Sequence, residues 1–178
     1  MTEILFTVLQ DILFFVLLIG GGWFFGRAFY KIYKGEPVFA KKVFTATENG
    51  IYKIMGVDPK EEMTAKKYAL GILLFSVFSL IFFIAVVMLQ AFLTMNPEHI
   101  EGMSWHLAFN TAASFVTNTN WQAYSGETGL SYLSQMICLT VQNFVSGAVG
   151  IAVLFALIRG FVGRQKKTIG NCWADITR

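Results

Sequence analysis

The chain has 178 residues, 55% hydrophobic, 16% aromatic and 14% charged. Soluble domains carry about 25% charged residues, so this composition, with a mean hydropathy of +0.57, excludes an ordinary soluble domain and points to an all-α membrane protein. The net charge of +3 does not indicate a nucleic-acid binder, because the basic residues are confined to two stretches flanking apolar runs.

The N-terminal segment, residues 1–26, contains an apolar run from Ile4 to Gly26 interrupted only by Gln10 and Asp11. Lacking a basic start and a small-residue cleavage site, it reads as a retained transmembrane anchor rather than a signal peptide. Gly20, Gly21, Gly22 and Gly26 predict a face for close helix packing. Asp11, near the beginning of the run, reads as an interfacial residue, with a functional intramembrane acid as the alternative.

Residues 27–67 are polar, and Arg27, Lys31 and Lys34 mark the end of the first span. Lys41 to Met55 sets Val43, Phe44, Ile51, Tyr52, Ile54 and Met55 among Lys41, Lys42, Glu48 and Lys53. This is an amphipathic helix that ends at Gly56 and suits a membrane surface or a partner. Asp58-Pro59-Lys60-Glu61-Glu62 predicts a helix start, with Asp at the cap, Pro first and acids in the first turn. A solvated turn feeding the next span is the other reading.

Residues 68–160 hold a span, a short helix, a polar run and another span. Tyr68 to Leu93 is a second apolar span without a charged residue, and the segment after it, Thr94 to Met103, has Glu98, His99 and Glu101 but no Lys or Arg. Trp105 to Val116 predicts about three helical turns with Ser104 as the cap. That is too short to cross a hydrocarbon core needing about 20 helical residues. The helix runs into Thr117-Asn118-Thr119-Asn120-Trp121-Gln122, a polar stretch between apolar spans, the pattern of a re-entrant pore loop with a filter at 117–122. Non-helical backbone at membrane depth must be buried or line a water-filled cavity.

In such a loop the negative end of the short helix's dipole, near Phe115 and Val116, faces an ion, and rings of backbone carbonyls replace a potassium ion's water. Turning successive carbonyls to one side requires left-handed backbone angles, which Asn accepts best after Gly. Asn118 and Asn120 alternate with Thr117 and Thr119. A polar extracellular loop after a short buried helix is the competing reading. Gly129 to Ile158 forms the third span, with Gln135, Gln142, Asn143 and Ser146 expected to face protein or pore, and Gly147 and Gly150 expected to allow close packing.

Residues 161–178 form a tail, with Arg159, Arg164, Lys166 and Lys167 at the membrane boundary. Nine of the 14 Lys and Arg residues lie from Arg27 to Lys67 and five from Arg159 onward. The positive-inside rule then places the N-terminus outside, residues 27–67 in the cytoplasm, the polar run outside and the C-terminus in the cytoplasm. Cys138 and Cys172 read as packing thiols. His99 and His106 are not spaced as a metal pair, so no metal other than potassium is expected.

The run NTAASFVTNTNWQAYSGETGLSYLSQM from Asn110 to Met136, LTVQNFVSGAVGIAVLFALIRG from Leu139 to Gly160, GVDPKEE from Gly56 to Glu62 and GNCWADITR from Gly170 to Arg178 closely resemble the A subunit of bacterial Kdp potassium-transporting ATPases. The resemblance covers essentially this whole chain but only the N-terminal part of the family. It implies one extra N-terminal transmembrane helix plus the first of four M1-P-M2 potassium-channel-like repeats around a pseudo-fourfold pore, so the chain reads as a fragment.

The resemblance also implies a potassium-binding, non-catalytic subunit of an ATP-driven import complex in the bacterial inner membrane. Its partners would be a P-type ATPase catalytic subunit, a C subunit and a small single-span subunit, with no nucleic acid and no organic cofactor. Thr117, Asn118, Thr119 and Asn120 would be the first quarter of the filter. Trp121 would wedge the loop against neighbouring helices, Gln122 would hold the loop or influence affinity, and Glu127 would attract cations or serve as an exposed structural acid. No Walker A motif, P-type phosphorylation context or catalytic triad is present. An autonomous channel or secondary cation transporter, and a pore-free structural fragment, are the alternatives.

Overall fold

The computed structural model describes residues 2–34, 36, 41–163 and 167–178; at residues 2–4, 41 and 42 only the backbone is described. Arg164 and Lys166, two of the boundary charges counted above, lie outside the described residues, as do the side chains of Lys41 and Lys42. The described residues form two compact units, one containing residues 1–55 with Arg178 and the other residues 56–177.

In the first unit, α1 (Thr2–Tyr33) is one continuous helix and α2 (Lys41–Met55) has the bounds expected from its pattern. Gly56 follows α2 with φ +64, a left-handed angle at which glycine carries no steric penalty. At Gly20, Gly21, Gly22 and Gly26 of α1 no close packing is formed within this unit, where an added Cβ would meet nothing within 4 Å.

The second unit is built on two long helices. The first is α3 (Ala65–Leu89), continued by a 3₁₀ turn over Gln90–Phe92. Next come α4 (Trp105–Val116), α5 (Gly126–Gly129) and α6 (Tyr132–Ser134), then a π-helical segment over Gln135–Thr140 that leads into α7 (Val141–Val162), and finally α8 (Cys172–Thr177). Among the described residues three helical stretches are long and apolar enough to cross a membrane: Leu5–Tyr33, Ala65–Phe92 and Tyr132–Val162. At 12 residues, α4 is about 18 Å long and does not reach across.

Two apolar clusters organise this unit. One joins Phe83, Ile84, Val86 and Val87 of α3 to Ala108, Ala112 and Phe115 of α4, with Met103, Leu130 and Cys138. The other joins Met63, Tyr68, Ala156 and Cys172, with Ile72, Ile169 and Trp173 packed against it. They lie along opposite halves of α3, so one helix is fastened at an α4 end and at an α8 end.

The helix start expected at Asp58 does not form. Asp58 Oδ1 accepts the Lys60 N–H at 2.9 Å and the Asp58 carbonyl accepts the Glu61 N–H at 3.1 Å, closing a turn. Helix α3 starts seven residues later than Asp58, capped by Thr64, whose hydroxyl oxygen accepts the Lys67 N–H. The tail competes for the intervening chain. Met63 and Thr64 pair with residues 168–170 through Met63 N–H to Gly170 O at 2.8 Å and Ile169 N–H to Met63 O at 3.0 Å.

Close approach by glycine occurs where the sequence pattern did not predict it. A Cβ at Gly71 would overlap Cys172 Sγ, and one at Gly102 would overlap the Met88 carbonyl, whereas Gly147 and Gly150 have no neighbour within 4 Å of that position.

Candidate functional site

Helix α4 is positioned by a helical stripe. Ala108, Thr111, Ala112 and Phe115 are buried, the i, i+3, i+4, i+7 spacing that keeps one face against a neighbour. Two of these residues are alanines, so the helix lies close to α3, and the Phe115 ring centroid sits 5.7 Å from that of Phe83. Ser104 has the extended N-cap backbone expected of it, but its side chain makes no cap hydrogen bond.

The C-terminus of α4 ends in a Schellman motif. Thr119 N–H donates to the Ser114 carbonyl at 2.8 Å and Asn118 N–H to the Phe115 carbonyl at 3.2 Å, with Asn118 at φ +59 in the position following the cap. The chain then repeats the manoeuvre. Asn120 also has φ +59, and its N–H returns to the Ser114 carbonyl at 3.1 Å, while Thr117 N–H donates to Ala113 O at 3.0 Å. The left-handed angles expected at the two asparagines are therefore present.

All four N–H groups of Thr117–Asn120 are thus turned back onto the helix. Among the described residues, the carbonyls of these four residues accept no hydrogen bond. The Thr117 hydroxyl donates to Ala113 O at 2.9 Å and lies 3.0 Å from the Thr119 hydroxyl. All four residues are exposed. The loop therefore separates its own polarity, with donors satisfied by α4 and acceptors left open. Such an array suits a cation that can exchange hydration water for peptide oxygens.

The surrounding ties are made by neutral groups. The Asn118 side-chain amide meets Ser146 of α7, with Oδ1 and Oγ 3.2 Å apart. Fully buried Gln90 donates to Glu101 O at 2.7 Å and Gly129 O at 3.0 Å, and its Oε1 accepts the Ser131 N–H at 3.1 Å. Gln135 donates to Gly126 O and Leu130 O at 3.2 and 3.1 Å. Gln142 and Ser146 are buried, as expected of polar groups in a span, but Asn143 is exposed.

The remaining candidates are less engaged. Trp121 is 60% exposed, and Gln122 is exposed, so neither is wedged among the helices of this chain. Glu127 is exposed near the start of α5 and accepts a 2.6 Å hydrogen bond from Ser125 Oγ. That bond, followed by a backbone N–H, holds its carboxyl below the usual carboxylate range.

Several structural residues were missed in the sequence. Gln90 was the one detectable signal, the single amide in a charge-free span whose other polar side chains are hydroxyls. The π segment, a feature often found at functional sites, has no such signature. At the α8 end, Arg159 pairs with Asp175 through both terminal guanidinium nitrogens, Nη1 and Nη2, and Nη1 also donates to Ile169 O at 3.2 Å. The Tyr68 hydroxyl lies 2.8 Å from Ala152 O and 2.9 Å from Asp175 Oδ2. The described part of the tail is thus folded against α3 and α7.

Residues 12–178 match the family model described as Potassium-transporting ATPase A subunit. A Listeria monocytogenes (serotype 4a, strain HCC23) protein called potassium-transporting ATPase potassium-binding subunit is 55% identical over 173 residues, 97% of this chain and 31% of that protein. Proteins of the same name from Clostridium botulinum (strain Eklund 17B / Type B) and Pseudomonas syringae pv. tomato are 55% and 53% identical, over 96% and 93% of this chain and 30% and 29% of their own lengths. The chain therefore spans under a third of the curated relatives it matches. With a match running from residue 12 to residue 178, the chain belongs to the potassium-transporting ATPase A subunit family.

Proposed function

We propose that residues 117–120 form one segment of a potassium filter in a non-catalytic, potassium-binding subunit of an ATP-driven importer. Helix α4 and the run after it act as a re-entrant loop entered from the extracytoplasmic side. The observation that carries this reading is the polarity of the loop: the N–H groups of Thr117, Asn118, Thr119 and Asn120 all donate to α4 carbonyls, while their own carbonyls accept nothing among the described residues.

Peptide oxygens at the negative end of a helix provide a field that favours a cation without requiring a carboxylate. One segment supplies only part of a ring, so the remaining oxygens come from the rest of the full-length parent protein. The relatives' printed name, potassium-binding subunit of a potassium-transporting ATPase, supports the ion and the dependence on ATP. A catalytic P-type subunit, a C subunit and a small single-span subunit are the proposed partners. The proposed location is the bacterial inner membrane, with the N-terminus outside and the basic loops inside.

The test uses potassium uptake by the complex assembled from the full-length parent protein. Asn120→Val places a β-branched residue at φ +59, where it is a steric outlier, whereas Asn120→Gly accepts that angle. The expected outcome is a roughly five- to thirtyfold rise in the half-saturating potassium concentration for the Val variant, from ~1–2 kcal/mol of backbone strain, and a much smaller change for Gly. Equal affinity for both variants and the parent would overturn the filter reading. Uptake that persists without the ATPase partner would favour the autonomous channel or secondary transporter.

A further inference from the structure

The filter reading leaves open what holds the Thr/Asn run in place across the helix pair. Among the described residues, hydrogen bonds from residues 117–120 go to α4 or stay within the run, with one exception: the contact between the Asn118 side chain and Ser146 Oγ at 3.2 Å. Ser146 is 4% exposed and its Oγ lies 2.7 Å from the Gln142 carbonyl one turn back.

A serine hydroxyl has one proton and two acceptor lone pairs. The closer Gln142 carbonyl can only accept, so the proton goes there, and the Ser146 oxygen is left to receive a donor. The Asn118 amide supplies that donor when its NH₂ group faces Ser146, an orientation related to the other by a half-turn of the amide. The relay then runs from Asn118 N–H to Ser146 oxygen and from Ser146 O–H to the Gln142 carbonyl, so the Ser146 hydroxyl both accepts and donates.

We infer that Ser146 is a positioning residue for the filter: it fixes the Asn118 side chain from α7 and thereby sets the direction of the adjoining peptide carbonyls. This inference rests on the proposed filter and adds a residue outside the Thr/Asn run. Asn118 sits at a left-handed angle, φ +59, and a side chain anchored on another helix limits how far that peptide can rotate. The hydroxyl, rather than simple bulk, is the required feature.

The experiment measures potassium uptake, and discrimination against rubidium, by the complex assembled from the full-length parent protein. Ser146→Ala is expected to raise the half-saturating potassium concentration roughly three- to tenfold, the value of one hydrogen bond, and to weaken discrimination while the maximal rate and amount of complex are retained. Ser146→Thr keeps the hydroxyl and should restore both. Asn118→Gly keeps the left-handed angle but lacks the amide, so it should show the same loss, and the double variant should lose no more than either single one.

Unchanged affinity in Asn118→Gly, or additive losses in the double variant, would overturn the inference. Asn118→Gly leaves α7 untouched and so tests the link even where Ser146→Ala fails to assemble. If Asn120→Val weakens uptake while Ser146→Ala and Asn118→Gly do not, the relay is wrong and the filter stands. If all three variants behave as the parent does, the filter reading itself fails.

Discussion

At the α4 end of the α3–α7 pair, the ties are neutral amides, hydroxyls and peptide groups, centred on Gln90, Gln135 and Ser146. At the α8 end they converge on a charged pair, Arg159 with Asp175, whose side chains are 21% and 6% exposed. Both ends also use an amide as a hub. Gln90 serves the first, while at the second Asn171 donates to Asp58 O and Glu61 O at 3.0 Å and accepts the Trp173 and Ala174 N–H groups at 3.0 and 3.2 Å. The difference is therefore in the inter-helix ties: those at the α4 end carry no charge, whereas those at the α8 end include an ion pair. In the proposed filter, a fixed charge beside the carbonyls of residues 117–120 would compete with or over-bind a cation, whereas a partly buried ion pair far along the helix locks the tail without disturbing that field.

The strongest way to break this comparison is at the charged end. Arg159→Ala leaves Asp175 buried without its guanidinium partner, a change that costs about 3–5 kcal/mol, and should lower the thermal stability of the proposed full-length subunit in detergent. Hydrogen exchange should accelerate over residues 172–177 and leave residues 117–120 unchanged. Faster exchange at both places would mean that the two ends are not held separately.

At the neutral end, Gln90→Leu removes an amide that joins the carbonyls of Glu101 and Gly129 to the Ser131 N–H. Of the three partners only Ser131 is buried, so the cost is roughly 1–3 kcal/mol for that N–H left unpaired. The expected result is local loosening of residues 93–103 and 126–131 with α8 still protected; no loss of stability would show that water replaces the amide fully.

The smallest effect sharpens the electrostatics. The Ser125 hydroxyl and then a backbone N–H hold the Glu127 carboxyl low. A lowered folded-state pKa stabilises above the unfolded carboxylate range and is lost as pH falls through the folded value. Ser125→Ala should move the Glu127 titration, followed by carboxyl-carbon NMR, up toward the ordinary range. An unmoved titration would assign the shift to the backbone alone.

Much of the secondary structure was legible in the residues. The bounds of α2 and α4 follow from apolar spacing and breakers, and Asn118 and Asn120 marked the left-handed backbone that follows α4, though not that at Met95 and His99. The Asp58-Pro59 segment misled because its acids and proline satisfy the local rules for a helix start. What prevents the helix is a turn whose carbonyls are taken by Asn171, more than 100 residues later. Glycine spacing likewise shows where close packing is permitted but not which neighbour uses it.

By itself the sequence determined the three apolar spans, the short helix between the last two and the positions of the breakers, because these depend on hydropathy and backbone preference within a few turns. Only the tertiary structure decided that α8 folds back onto Arg159 and Tyr68, that Gln90 binds together two loops, and that Ser146 reaches Asn118. Those outcomes depend on which donor meets which acceptor across distances in sequence that local pattern does not encode.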